Sequence, residues 1–113
     1  MIINVYHAEY PGSDSIDYVA AVDAPETLTT EEALEYAFRW TNNVDGSWSK
    51  GETFSFLGEM HSNGDYNERV NCVAKPHPQG YGTRSTSVGD FMVIGERWYE
   101  VMPMGFRLSN QAA

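Results

Sequence analysis

The chain has 113 residues, 42% of them hydrophobic and 13% aromatic, enough for one domain around one core and too few for a second. Sixteen Asp and Glu stand against seven Lys and Arg, a net charge of −9, which argues against direct nucleic-acid binding through a basic surface. The single cysteine, Cys72, excludes an intrachain disulfide and a Cys-based zinc site. No apolar run reaches spanning length, and the first residues lack the basic stretch and cleavage site of a secretory leader, so the expectation is a soluble, cytoplasmic protein without membrane association.

In chain order, residues 2–7 are β-rich and residues 17–22 form a second short apolar run. The Pro11-Gly12-Ser13-Asp14-Ser15 cluster between them predicts an N-terminal hairpin. A helix follows from Thr29, whose hydroxyl and the Glu32 carboxylate three positions on spell a capping box. Ala33, Leu34, Ala37, Phe38 and Thr41 recur at helical spacing, Glu35 and Arg39 form an i,i+4 pair, and Asn42-Asn43 offers a left-handed stop.

Residues 44–68 are punctuated by Gly and Asn, with Trp48, Phe54, Phe56, Leu57 and Met60 as apolar anchors. A loop of that length without structure is unusual in a small domain, so a strand or helical turn near residues 54–57 and a packed Trp48 are expected. Residues 70–74 alternate as a strand. Residues 91–94 and 97–102 flank Gly95-Glu96, the pattern of a two-residue type II′ hairpin, and residues 109–113 are expected to fray. These elements predict one α+β domain over residues 1–113: a small antiparallel, bent sheet with one amphipathic helix packed on it.

No catalytic, cofactor or metal site is spelled out. Glu59, His61, Asp65 and Glu68 match neither zinc nor EF-hand spacing. Cys72 occupies an alternating apolar position where a free thiol packs as a small hydrophobe. Gly80-Tyr81-Gly82-Thr83-Arg84 lacks the Gly-Lys-Ser/Thr of a phosphate loop.

The charge is uneven instead. The first 38 residues carry eight acids and no base, while the other 75 carry eight acids and seven bases. Asp14, Asp17, Asp23, Glu26, Glu31 and Glu35 are therefore candidate contacts for a partner protein with a basic surface. A second candidate is a ligand site formed by Arg84, Ser85, Ser87, Asp90 and Trp48, placed between the helix and the 76–84 loop, with Arg84 meeting an anionic group. The same segment also reads as a self-capped turn, in which Arg84 pairs with Asp90 and the hydroxyls accept backbone N–H groups.

The string Arg84-Ser-Thr-Ser-Val-Gly-Asp90, a hydrophobic strand, Tyr99-Glu-Val101 and Gly105-Phe106 resembles the C-terminal signature of the YodL-like domains and of related small proteins of tailed phages and plasmids. Residues 37–43 and Gly46-Ser47-Trp48 resemble the same phage proteins; Met102-Pro103-Met104 departs from the pattern. The resemblance implies no activity and no cofactor. It implies a mobile genetic element acting inside a host cell, and hence an interaction protein whose partner is a host nucleic-acid-handling or defence factor. The alternative is a small anionic-ligand binder or sponge.

Overall fold

The computed structural model describes residues 1–109. Nine elements follow one another: β1 (Ile2–Ala8), β2 (Ile16–Asp23), α1 (Thr30–Trp40), β3 (Thr53–Phe56), β4 (Glu59–Ser62), β5 (Val70–Cys72), β6 (Phe91–Ile94), β7 (Arg97–Val101) and β8 (Phe106–Ser109). Six strands make one antiparallel sheet in the order β5-β2-β1-β6-β7-β8, and β3 and β4 pair only with each other. The expected α+β architecture, an antiparallel sheet with one helix, is the one observed. Residues 110–113, and with them most of the terminal segment expected to fray, lie outside the described residues.

Helix α1 starts where the capping box dictates. The Thr29 hydroxyl accepts from the Glu32 N–H at 3.2 Å, and the Glu32 carboxylate accepts from the Thr29 N–H at 2.9 Å. Ala33, Leu34 and Ala37 are buried in the same core as Ile3, Val5, Val22 and Met92 of the sheet. Each large aliphatic side chain buried here contributes about 1.5–3 kcal/mol. The helix ends differently from the sequence expectation. No residue near its C-terminus is left-handed; the Thr41 N–H bonds back to Ala37 and Phe38, and the Asn42 amide donates to the Phe38 carbonyl at 2.5 Å. Arg39 is not engaged with Glu35 either, because it turns toward Asp65 and lies over the Trp40 ring.

The sheet's other face carries a smaller cluster of Phe91, Val93 and Trp98 with Tyr6 and Ile16 packed on it. Register explains the division, because Tyr6 opposes both Tyr18 and Phe91, and cross-strand partners share a face. A bulge opposite Val5/Tyr6 admits Val19 as an extra residue, which bends the β1–β2 pair. At the β6–β7 turn, Gly95 takes φ +62° and Glu96 stays on the negative side, as a type II′ turn requires.

Candidate interaction surfaces and the polar network that holds them

Two buried polar networks fix the loops, and the two surfaces most suited to binding are mounted on them. The first begins at Asp90, which is 1% exposed. Its carboxylate accepts four bonds: Ala8 N–H at 2.9 Å, Ser87 N–H at 2.8 Å, and Arg84 Nη1 and Nη2 at 2.7 and 2.8 Å. Arg84 Nη2 also donates to the Ala8 carbonyl at 2.9 Å, so the pair clamps the end of β1 from both sides of one residue. Burial alone would push the Asp90 carboxyl up. The Arg84 guanidinium and the Ser87 and Ala8 N–H groups outweigh it and hold the carboxyl below its ordinary value.

Beside this clamp runs a chain of three side chains. His7 Nε2 lies 2.8 Å from Thr86 Oγ1, which lies 2.8 Å from Thr41 Oγ1, which donates to the Ala37 carbonyl at 2.8 Å. Each hydroxyl has one proton. Thr41 spends its own on Ala37, so Thr86 donates to Thr41 and must accept from His7. The neutral imidazole is therefore protonated on Nε2 and carries a bare acceptor at Nδ1. Burial is the main force lowering the His7 pKa to about 4; Arg84 acts in the same sense, against the raising effects of Asp90 and Asp17.

The second network centres on Asp65, which is fully buried. Asp65 Oδ2 accepts from three consecutive N–H groups, Val44, Asp45 and Gly46, at 2.7, 2.9 and 2.7 Å. Arg39 Nη1 stands 3.2 Å from Oδ1. Burial disfavours this carboxylate too, and the Gly46, Val44 and Asp45 N–H groups with Arg39 reverse the effect and lower its pKa. Asn63 works alongside it, donating to the Ser47 and Gly51 carbonyls at 2.7 and 2.9 Å and accepting from the Ser47 and Asp65 N–H groups.

Asn63 and Asp65 directly follow β4, so this network roots the β3–β4 hairpin. Above the root the hairpin leans on nothing large: Phe54, Phe56, Leu57 and Met60 are 42, 60, 87 and 67% exposed. Phe54 stacks on His61 at 5.4 Å and Phe56 meets the same ring edge-on at 6.3 Å, which orders one face of the hairpin. At the tip, Leu57 and Gly58 both adopt left-handed backbone, φ +52° and +80°, as a two-residue turn of the I′ kind demands. Asn or Gly would be the ordinary choice at the first position, yet Leu stands there.

A groove of about 730 Å³ opens elsewhere, between the β1–β2 pair and residues 73–84. It sits on the β1–β2 side of that loop, and helix α1 contributes nothing to its lining. The position expected from the sequence, between helix and loop, is thus corrected. The reason is that Trp48 and the Thr41–Thr86 bond fill the space on the helix side.

The candidate ligand residues divide accordingly. Trp48 is buried, with its indole N–H donating to the Arg84 carbonyl at 2.8 Å. Ser85 Oγ accepts from the Asn43 N–H at 2.8 Å, and the Ser87 hydroxyl lies 3.4 Å from Arg84 Nη1. Arg84 and Asp90 face each other. The segment is a self-capped turn whose polar groups are directed largely at the protein itself.

Asp14, Asp17, Asp23, Glu26, Glu31 and Glu35 are all exposed. They do not form one patch. Asp14 and Asp17 sit at the β1–β2 turn, whereas Asp23 and Glu26 sit at the far end of β2, about 20 Å away along the strand, paired with the Met1 ammonium. Glu31 and Glu35 lie one turn apart on α1. Among the described residues no group of three or more His, Cys, Asp or Glu is arranged to hold a metal ion, and no helix is long and apolar enough to cross a membrane.

No local pattern signals the His7–Thr86–Thr41 chain or the bonds that Asp65 accepts, because the partners lie 79, 45 and 19–21 residues apart. The hairpin has a visible signal, an apolar Phe-x-Phe-Leu-Gly run without a basic residue, whose side chains the structure leaves exposed. No family model, curated protein or solved structure matches the chain.

Proposed function

We propose that this chain is a small acidic protein-binding module and that the β3–β4 hairpin is its docking element. The observation that carries the reading is Leu57, an apolar residue 87% exposed at a left-handed turn position. Left-handed backbone costs a non-glycine residue roughly 1–2 kcal/mol, and exposing leucine gains nothing for the fold. A side chain kept under both penalties is accounted for by a contact outside the molecule.

Magnitudes set the partner's chemistry. Burying the exposed parts of Phe54, Phe56, Leu57 and Met60 yields about 4–8 kcal/mol, against an association cost of roughly 4–15 kcal/mol. The tip alone therefore binds weakly, and electrostatics must assist. The hairpin and its root expose Glu52, Glu59 and Glu68, with Lys50 and Arg69 standing only at the two margins of this segment, and the whole chain carries −9. The fitting partner is a protein with an apolar groove rimmed by basic residues. The resemblance to YodL-like and phage proteins adds the expectation that this partner belongs to a host cell and handles nucleic acid or serves in defence. A second copy of the chain is disfavoured by like charge.

Capture from lysate tests this with three proteins: the unaltered chain, Leu57→Asp with Phe56→Ser, and a variant neutralised at Asp14, Asp17, Glu31 and Glu35. The unaltered chain should hold a partner that elutes with rising salt, and the hairpin variant should lose it. Equal recovery by all three, or no specific partner, overturns the proposal.

A further inference from the structure

The groove beside β1 contains a polar atom that the fold leaves unused. His7 is 6% exposed, and its Nε2–H is committed to Thr86; among the described residues the remaining nitrogen, Nδ1, has no protein partner, and it is not sealed from water, so it meets solvent where His7 lines the groove. A buried histidine ordinarily satisfies both nitrogens. Here the second is left to whatever occupies the groove.

The surroundings define what that occupant must be. Asp17 is the direct cross-strand partner of His7 and lines the groove with it. Glu9, two residues beyond His7 on the extended chain, also lines it, and the Glu9 N–H bond to the Ser15 carbonyl continues the ladder. Neither carboxylate has an ion-pair partner among the described residues. On the opposite wall Lys75 is a single exposed cation, and Tyr81, 66% exposed, presents a ring tilted against His77 at 5.0 Å.

Arg84 also lines the groove, but its four Nη hydrogens are spent on Asp90, Ala8 and Ser85, and Asp90 neutralises its charge. What the groove offers is an imine nitrogen, two carboxylates without ion-pair partners among the described residues and an aromatic face, against one ammonium, Lys75, and the Arg84 Nε–H. That set recognises a donor-bearing cation, not an anion.

We infer that this groove binds a guanidinium or primary ammonium group on an alkyl stem, with His7 Nδ1 and the Asp17 carboxylate accepting its hydrogen bonds and Tyr81 covering its face. The chemistry is shared by an arginine or lysine side chain of a peptide and by a free alkyl polyamine. The site has no residue in common with the hairpin and shares only Asp17 with the charge-neutralised variant, so the hairpin variant, Leu57→Asp with Phe56→Ser, separates failure of one reading from failure of the other.

The test is an NMR titration of the full chain that follows the His7 ring nitrogens and the backbone amides. Three probes are used: blocked Gly-Arg-Gly, agmatine and inorganic phosphate. Before any addition, the ring should show a protonated Nε2 and a bare Nδ1. Either cation should then move the Nδ1 resonance saturably toward its hydrogen-bonded position, together with the amides of Asp17 and Tyr81. Response to the peptide assigns the source to a protein, and response to agmatine alone assigns it to a free amine.

Asp17→Asn and His7→Gln should each weaken binding roughly tenfold. Gln retains the bond to Thr86, and an unchanged amide spectrum elsewhere separates lost binding from lost fold. Glu96→Gln, at the exposed β6–β7 turn, should leave affinity unaltered. Phosphate displacing the groove resonances, cations moving only surface carboxylates, or a protonated Nδ1 in the free protein overturns the inference.

Discussion

Arg84 meets Asp90 end-on, with Nη1 2.7 Å from Oδ2 and Nη2 2.8 Å from Oδ1, and the pair encloses both polar groups of Ala8. The arrangement joins the end of β1 to the turn before β6, two elements more than 80 residues apart in sequence. Removing the carboxylate strands a guanidinium and two backbone N–H groups. Asp90→Ala should therefore cost about 2–4 kcal/mol in urea unfolding, most of it from the two N–H groups, because the half-exposed Arg84 side chain can rehydrate. Arg84→Lys should cost less but remain clearly destabilising, because an ammonium cannot reproduce the parallel pair. A loss below 1 kcal/mol for Asp90→Ala would contradict the clamp.

His7 predicts a pH dependence of definite sign. Its folded pKa, about 4, lies below the ordinary value of 6.5, so the unfolded chain binds the proton first as pH falls. The contribution is fully present above about pH 6.5 and is lost progressively between there and pH 4. Its full size is roughly 3 kcal/mol. Melting temperature should fall across that window for the unaltered chain, and His7→Gln should flatten the fall. Asp65 and Asp90, both held below the ordinary aspartate value of about 3.9, add a separate loss at more acid pH.

Asp65 ties residues 44–46 to the root of the hairpin, and its removal leaves three N–H groups without an acceptor. Asp65→Ala should cost about 3 kcal/mol. Hydrogen exchange at Val44, Asp45 and Gly46 should accelerate more than in β1 or β6. Uniform acceleration throughout the chain would show that the network supports the whole fold and not the root.

Leu57 separates stability from binding. Leu57→Gly relieves the left-handed backbone and removes an exposed apolar side chain, so it should raise stability by up to about 1 kcal/mol. The same substitution should abolish partner capture. A variant that is more stable and still binds would remove the functional explanation for this residue.

What the sequence disclosed and what it withheld follow the range of the interactions. The capping box at Thr29 and Glu32 and the Gly95 turn depend on neighbours within four residues, and both stand as read. The pairing of Arg84 with Asp90, six residues apart, was also within reach. Helical spacing favours a pairing of Arg39 with Glu35. Asp65 wins because a buried carboxylate already held by three N–H groups is a stronger attractor than a solvated one. The apolar residues of 54–60 stand in the sequence as anchors of unstated direction, because composition cannot tell a packed phenylalanine from a presented one. Only the absence of any covering element shows the difference.

The docking role of the hairpin is tested most directly by hydrogen exchange on the chain alone and bound to its captured partner. The account predicts new protection concentrated in residues 53–62, with the β1–β2 turn and the first turn of α1 unchanged. Protection centred on Asp14, Asp17, Glu31 and Glu35, with the hairpin exchanging as it does in the free chain, would contradict it.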